Sequence, residues 1–473
     1  MNSEIQALYG KIIFFIIIIF FTNILNSQTT FVESQNITST FPSSAELIDL
    51  DGDNDLDLVR TLDRATGLND LNANEIWLND GTGNFTLHQS FGNSESKGMA
   101  IGDLDGDNDN DIFIANATYF IGQSSISSNK VWLNDGAGNF TNSGQSLGVR
   151  RSLAVTLADL DGDNDLDAYV ANSGDNDNPN TVWINNGEGQ FTDSGQLLGS
   201  SETQDVASAD IDNDNDIDII TANCCSNTSN ANRVWINNGF GTFTNTQEIG
   251  IFSSENLSVA DLDGDLDFDI VFSNTFEASK TYTNNGNGNF SFHSNVISFP
   301  IAQKKTIKFS DIDNDGDNDL IVGVFSDLYE NRILINDGLG NFTENFQFII
   351  SNTWDIAIGD IDNDGDKDVF MLNINNQNNR FWLNQKTLGL DENIKSFIKI
   401  YPNPVQGDLI ISLDKMYSNI EVNLFNLLYQ KIYTQNFERT KMIRLPLEGP
   451  KGIYFIEIKA DQNKYRVHKL IKQ

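Results

Sequence analysis

The chain has 473 residues, 39% of them hydrophobic, and a formal net charge of −38 at pH 7. That length admits more than one domain and a sizeable buried core, and that sign excludes nucleic acid as the expected partner, because phosphate contacts need Lys and Arg. The charge is uneven, since residues 395–473 hold 13 Lys and Arg against 7 Asp and Glu, a balance of +6 that leaves −44 on the first 394.

At the N-terminus Lys11 precedes the apolar run IIFFIIIIFF (Ile12 to Phe21), and a polar stretch follows to Ser27 and Gln28. This order reads as a secretory signal peptide over residues 1–27, with an uncleaved anchor as the alternative. The run is too short to span a bilayer, which takes about 20 residues, so no transmembrane segment is expected.

From residue 49 the chain reads DLDGDNDLD, with Asp49, Asp51, Asp53, Asp55 and Asp57 on alternate positions. The pattern returns at Asp103, Asp105, Asp107, Asp109 and Asp111, and again at Asp159, Asp161, Asp163, Asp165 and Asp167. A fourth copy is Asp210, Asp212, Asp214, Asp216 and Asp218; a fifth is Asp261, Asp263, Asp265, Asp267 and Asp269. Asp311, Asp313, Asp315, Asp317 and Asp319 form the sixth, and Asp360, Asp362, Asp364, Asp366 and Asp368 the seventh. Steps of 54, 56, 51, 51, 50 and 49 residues separate them. Spacing this regular marks one structural unit copied along the chain rather than a solvated acidic tail. Carboxylates so crowded repel one another and raise each other's pKa, so a folded chain needs a compensating charge, and a bound cation supplies it.

Within each unit a short apolar run precedes the cluster (Ile356-Ala357-Ile358) and another follows (Ile112-Phe113-Ile114), so the cluster is the loop between two strands. An aromatic strand ending in Asn comes next, as in VWLN (131–134), VWIN (182–185 and 234–237) and FWLN (381–384). A Gly turn such as DGAGNFT (135–141) then leads into a fourth strand, its paired glycines supplying positive φ. Four antiparallel strands every 50 residues or so are the blade of a β-propeller, here with seven blades over residues 28–390. The seventh unit lacks the Gly turn after Asn384, whereas Phe31 lies 18 residues ahead of Asp49, as Phe85 does ahead of Asp103. The segment past the signal peptide is therefore expected to supply the missing outer strand and close the ring, removing an open edge. On this reading the tryptophans of the third strands are core.

Oxygen ligands at alternate positions with Gly or Asn at the sixth suit calcium. A helical EF-hand would need Glu at position 12, where this chain has Arg60, Ile114, Val170, Thr221, Phe272, Val322 and Met371. Residues 31–385 resemble the FG-GAP or VCBS-type repeats of integrin-like β-propellers, whose Asp-x-Asp-x-Asp-Gly-x-x-Asp loop binds calcium. The resemblance implies side-chain oxygens from Asp49, Asp51, Asp53 and Asp57 and the backbone carbonyl of Asp55, and likewise in the other six loops. Leu266, at the sixth position of the fifth loop, departs from the pattern, because a left-handed turn suits it poorly.

The two cysteines, Cys224 and Cys225, are adjacent, so no disulfide framework holds this fold. In the basic tail, IKIYPNPVQGDLIISL (398–413), VNLFN (422–426), GIYFIEI (452–458) and KLIK (469–472) resemble the C-terminal sorting domain of the type IX secretion system, with Tyr429 where that family usually has Gly. Their alternation independently suggests a small β-sandwich over residues 391–473. The resemblance implies passage across the outer membrane by the type IX machinery, to a secreted or surface-attached location.

Two functions fit: a non-catalytic adhesion or ligand-binding module with a glycan or protein ligand, or a carbohydrate-active enzyme such as a propeller-type polysaccharide lyase. His88 and His293 both fall three residues after a turn Phe, which makes them repeat positions, and His468 lies in the tail. Arg60, Arg64, Tyr119, Arg150 and Arg151 are the loop residues open to a lyase, and otherwise read as solvated surface. The second loop of a blade varies most, taking 20 residues from Asp57 to Trp77 and 21 from Asp111 to Trp132, but 13 from Asp269 to Tyr282. Variable loops on a rigid scaffold are where binding usually sits, so a partner is expected opposite the Asp loops, around Arg60 to Asn74 and Asn116 to Asn129.

Overall fold

The structure is a computed structural model that describes residues 29–38, 41–63, 73–117, 128–173, 178–199, 201–224, 231–275, 277–297, 304–375, 377–386, 398–401, 405, 408–425, 431–447, 450–460 and 464–472. The signal-peptide segment, Arg64, Tyr119, Cys225, Tyr429 and much of the second loops of blades 1 and 2 lie outside these residues. No helix occurs among them. The chain divides into two compact units, one ending at Lys386 and one beginning at Thr387.

In the first unit, β1 (Thr29–Ile37) is followed by β2 (Pro42–Ile48), β3 (Asp57–Leu62), β4 (Asn74–Asn79) and β5 (Phe85–Phe91). The last four form blade 1, an antiparallel sheet in chain order. Four more such sheets follow, over Ser96–Asn142, Ser152–Asp193, Glu202–Ile249 and Ser254–Ile297. Blades 6 and 7 are drawn into one six-stranded sheet, because Asp319–Asn336 and Phe342–Gly359 each run through a corner without a break. The first strands neighbour one another around a closed ring, in which β2 touches both the first strand of blade 2 and that of blade 7.

The ring closes as the spacing of Phe31 predicts. β1 pairs antiparallel with Asn379–Lys386 and sets Phe31 opposite Asn384. This is the register of Phe85 opposite Asn79 and Phe243 opposite Asn237 in complete blades.

Second strands are buried along their whole length, as in Asp111–Asn116 and Asp167–Asn172. Each lies between two neighbouring blades, which is why these runs are continuously apolar rather than alternating. Adjacent sheets pack face to face, with Phe113 and Val131 of blade 2 meeting Val170 and Trp183 of blade 3 in one core. Arg60 breaks the apolar run of β3, and the structure corrects its reading as solvated surface. It is 2% exposed, 2.6 Å from Glu75 and over the Trp77 ring. A buried guanidinium persists only when paired in this way.

Among the described residues the second unit is one sheet of five strands curled on itself. Asp408–Phe425 pairs along one edge with Lys431–Pro446, and along the other first with Ile398–Tyr401 and then with Gly452–Ala460, which carries Lys464–Lys472. Its two halves face each other across Leu409, Ile411, Val422, Leu424, Ile456 and Leu470. The sandwich-like core expected of the tail is thus enclosed by a single folded sheet.

Candidate metal centres

Every Asp loop is built the same way, with aspartates at positions one, three, five, seven and nine, so that in the first loop the third Asp is Asp51, the fifth Asp53, the seventh Asp55 and the ninth Asp57. The first Asp accepts a hydrogen bond from the backbone N–H of the sixth residue, at 2.9 Å from Asn54 to Asp49 and 3.0 Å from Leu266 to Asp261. The fifth Asp accepts one from the seventh residue, as from Asp55 to Asp53 at 2.9 Å. These bonds wind the loop so that carboxylates converge. Oxygens of Asp49, Asp51 and Asp53 lie within 4.8 Å of one another, as do those of Asp159, Asp161 and Asp167.

The ninth Asp is buried and locks the loop to the blade. Oδ2 of Asp57 accepts from the Leu50 N–H at 3.0 Å and Oδ1 from the Asn79 N–H at 2.8 Å, and the same two bonds recur down to Asp368 with Ile361 and Asn384. Burial pushes these carboxyls up, to about 6 at Asp57 and about 7 at Asp167 and Asp368, against the pull of both N–H groups. The third Asp is also raised, by burial first and then by the neighbouring aspartates.

One observation tests whether a cation fits. Oδ1 of the third Asp is buried without a hydrogen-bond partner in every loop: Asp51, Asp105, Asp161, Asp212, Asp263, Asp313 and Asp362. A carboxylate oxygen buried and unpaired at the convergence of two or three others is costly unless a cation meets it. The donor set is oxygen only, which suits calcium. The seventh Asp is placed differently. The Asp55 carboxylate packs against Gly81 of the Gly turn, where any Cβ would collide with it, and Asp109 meets Gly136 in the same way.

Leu266 adopts φ 73°, close to the 70° of Asn54, and makes the same hydrogen bond. The fifth loop therefore keeps the common shape at the expense of a left-handed leucine, 84% exposed. Leu266→Asn should stabilise the protein by about 1 kcal/mol, read as a higher melting temperature; an unchanged or lower one would show that the loop bears no strain.

Two sets of amide latches tie neighbouring blades together. The Asn that ends each third strand reaches the preceding loop, with Asn134 Nδ2 donating to Leu50 O at 2.8 Å and Asn79 Nδ2 to Ile361 O at 2.8 Å. On the outer strands a Gln clasps the turn Phe of the next blade in a two-point bond. Gln89 holds Phe140, Gln247 holds Phe290, and Gln35 of β1 holds Phe85. The sequence signal for the second set was a Gln four or five residues after the turn Phe.

First strands line a central cavity of about 420 Å³. Its charged residues carry no repeat signal in the sequence, where Asp205 and Asp355 stand five places ahead of their clusters. Lys308 Nζ lies 3.6 Å from Glu46, and the Glu46 charge holds the lysine above its ordinary pKa. Asp355 accepts from Ser44 Oγ at 3.0 Å and the Ala45 N–H at 3.1 Å, and Asp205 from the Leu257 N–H at 3.1 Å. Both carboxylates thus fasten one blade to the next. His88 Nε2 meets Asn139 Oδ1 at 3.0 Å and His293 lies against Gly340, so both histidines pack on the next blade's turn. Cys224 is buried and disulfide-bonded.

The profile of the FG-GAP-like repeat matches residues 49–114, 103–170, 159–221, 210–272, 261–322 and 311–371, each match running from one Asp loop into the strand beyond the next. The secretion system C-terminal sorting domain matches residues 399–473. No curated protein matches the chain. Among solved structures, the BP39L lectin from Burkholderia pseudomallei is similar with a TM-score of 0.51 and 12% identity, over 73% of this chain and 97% of that one. At that identity the likeness is one of fold. Repeat profile, closed ring of blades and tail together place the chain in the FG-GAP-like repeat family, as a β-propeller secreted through a type IX sorting domain, to be released or held at the cell surface.

Proposed function

We propose that the chain is exported by its first 27 residues, carried across the outer membrane by residues 391–473, and acts outside the cell as a calcium-stabilised, non-catalytic adhesion or ligand-binding propeller. The first, third, fifth and ninth Asp of each loop would hold the ion by side-chain oxygens, and the seventh by its carbonyl. Bound calcium supplies the positive charge that lets the clustered carboxylates ionise together.

The observation that carries the non-catalytic reading is the commitment of the acidic side chains. Among the described residues, loop aspartates converge into clusters that could hold a cation, the cavity carboxylates Asp205 and Asp355 fasten blades together, and Glu46 pairs with Lys308. An enzyme needs acid, base or nucleophile groups converging on a substrate. The fold shared with a lectin supports a binding role.

Incubating the mature protein with a polysaccharide panel tests this, with both retention and product release scored. Retention without products is expected, and release of cleaved or unsaturated products would make the protein a carbohydrate-active enzyme. Removing residues 391–473 should leave a folded propeller in the periplasm. Normal arrival of that truncation outside the cell would show that the tail is not the address.

A further inference from the structure

Blades 2 to 5 each begin with a glycine eleven residues ahead of the Asp loop: Gly92, Gly148, Gly199 and Gly250, with φ of 67°, 70°, 72° and 63°. At the first three a Cβ would stand 3.4, 3.3 and 3.4 Å from the indole of Trp132, Trp183 and Trp235, so the connector lies flat on the ring edge. Two clefts open at this level, on the face opposite the Asp loops and on equivalent residues. One, of about 150 Å³, lies between blades 1 and 2 beside Gly92, Asn116 and Trp132. The other, of about 330 Å³, lies between blades 2 and 3 beside Gly148, Asn172 and Trp183.

The residue two places before the third-strand aromatic, or before Leu334 in its place in blade 6, sets their size. It is long and charged in six blades and is Thr181 in blade 3. In blade 4 Arg233 fills the space, its Nη1 3.2 Å from the Gly199 Cβ position and donating to Ser201 Oγ at 2.7 Å. Phe252 folds over Gly250 in blade 5, with Lys280 Nζ 3.2 Å from its ring centroid. Lys130 narrows the cleft of blade 2. Thr181 leaves the third open, within the ~300–1,000 Å³ usual for small-ligand pockets.

We infer that the cleft between blades 2 and 3 is a binding site for a neutral saccharide, an inference that rests on the binding-module reading above. The Asn129 and Asn178 amides and the Thr181 hydroxyl line it with groups of the kind sugar hydroxyls pair with, while Asn129 Oδ1 also accepts from the Asn116 N–H at 2.9 Å and Thr181 Oγ1 from Trp183 Nε1 at 3.2 Å. The Trp183 edge and exposed Val149 offer apolar surface to a sugar's C–H face. Among the described residues of the lining, Arg150 and Asp193 add one charge of each sign, so these two give a charged ligand no net attraction.

Thr181→Glu tests the site in the full mature chain. Glu75 already holds this place in blade 1 and accepts the Trp77 Nε1 hydrogen bond at 2.8 Å, as Thr181 Oγ1 accepts that of Trp183 at 3.2 Å. The substitution should therefore fill the cleft, and because Glu75 is paired with Arg60 where blade 3 has Val170, the melting temperature is measured as the control of folding. The probe is a set of neutral monosaccharides (glucose, galactose, mannose, fucose, xylose) and their short homo-oligomers, read by saturation-transfer NMR. At least one should receive transfer from the native protein, weakened about tenfold or more in Thr181→Glu and retained in Thr181→Ser. Should Thr181→Glu not fold, Val149→Glu on the exposed rim should weaken the same signal. Equal transfer from native and filled protein would overturn the cleft while leaving the binding-module reading intact. No transfer from any probe would overturn the cleft too, and retention on the polysaccharide panel would then still stand as the separate test of that reading.

Discussion

Excess chelator should lower the melting temperature of the mature protein by about 10–20 °C. At tenfold excess over Kd each calcium site adds about 1.4 kcal/mol, so seven contribute roughly 10 kcal/mol, comparable with the net stability of a whole domain. For a propeller of this length, an unfolding entropy of about 2.1 cal/mol/K per residue converts that loss into the stated shift. The sites should also fail together, because Asn134 hangs from the Leu50 carbonyl of the preceding loop and Asn79 from Ile361. The pH dependence has a definite sign. The ninth aspartates have folded-state pKa values of about 6 to 7, as at Asp57 and Asp218, well above the ordinary carboxyl value of about 3.9. Between those values these carboxyls bind more protons in the metal-free folded state than in the unfolded chain, so in chelator their contribution to stability is greatest at low pH and is lost as pH rises through about 4 to 7. Calcium, by compensating the ionised form, should flatten or reverse that slope. A melt unmoved by chelator at neutral pH would rule out structural calcium.

Repetition is what made most of this molecule legible. Aspartates at fixed steps locate the loops, and the distance from Phe31 to Asp49 locates the closing strand, because both are set by the geometry of one blade. Leu266 misleads for a local reason: only backbone N–H and φ are demanded at the sixth position, and an exposed leucine meets both at a modest strain. Arg60 misleads because a loop edge and a buried second strand look alike until Glu75 is brought beside it. The amide latches of Asn79 and Gln35 and the inter-blade cleft at Thr181 depend on contacts some 50 to 300 residues apart in sequence. Composition carries no trace of these; only comparison of equivalent positions between blades does, as when Thr181 is set beside Lys130 and Arg233.

Deleting residues 28–40 should destabilise the propeller enough to make it aggregate at temperatures where the intact protein stays monodisperse. β1 buries Phe31 and Ile37, 6% and 3% exposed, in two different inter-blade cores. At about 1.5–3 kcal/mol for each buried side chain, these two residues alone supply roughly 3–6 kcal/mol. Phe31 further packs its ring, tilted and with centroids at 5.3 and 5.1 Å, against Phe346 and Phe348 of blade 6, while Gln35 reaches forward to Phe85 of blade 1, so the strand holds blade 7 to both its neighbours. Its removal also leaves Asn379–Lys386 as an unpaired edge, a template for pairing with another chain. Point variants should grade the effect. Phe31→Ala should cost about 3–5 kcal/mol, and Gln35→Ala less, at about 1 kcal/mol for each hydrogen bond lost. Thermal melts with size-exclusion chromatography of the truncation beside the intact protein decide the matter: if the two melt together and elute alike, the ring does not depend on its N-terminal strand.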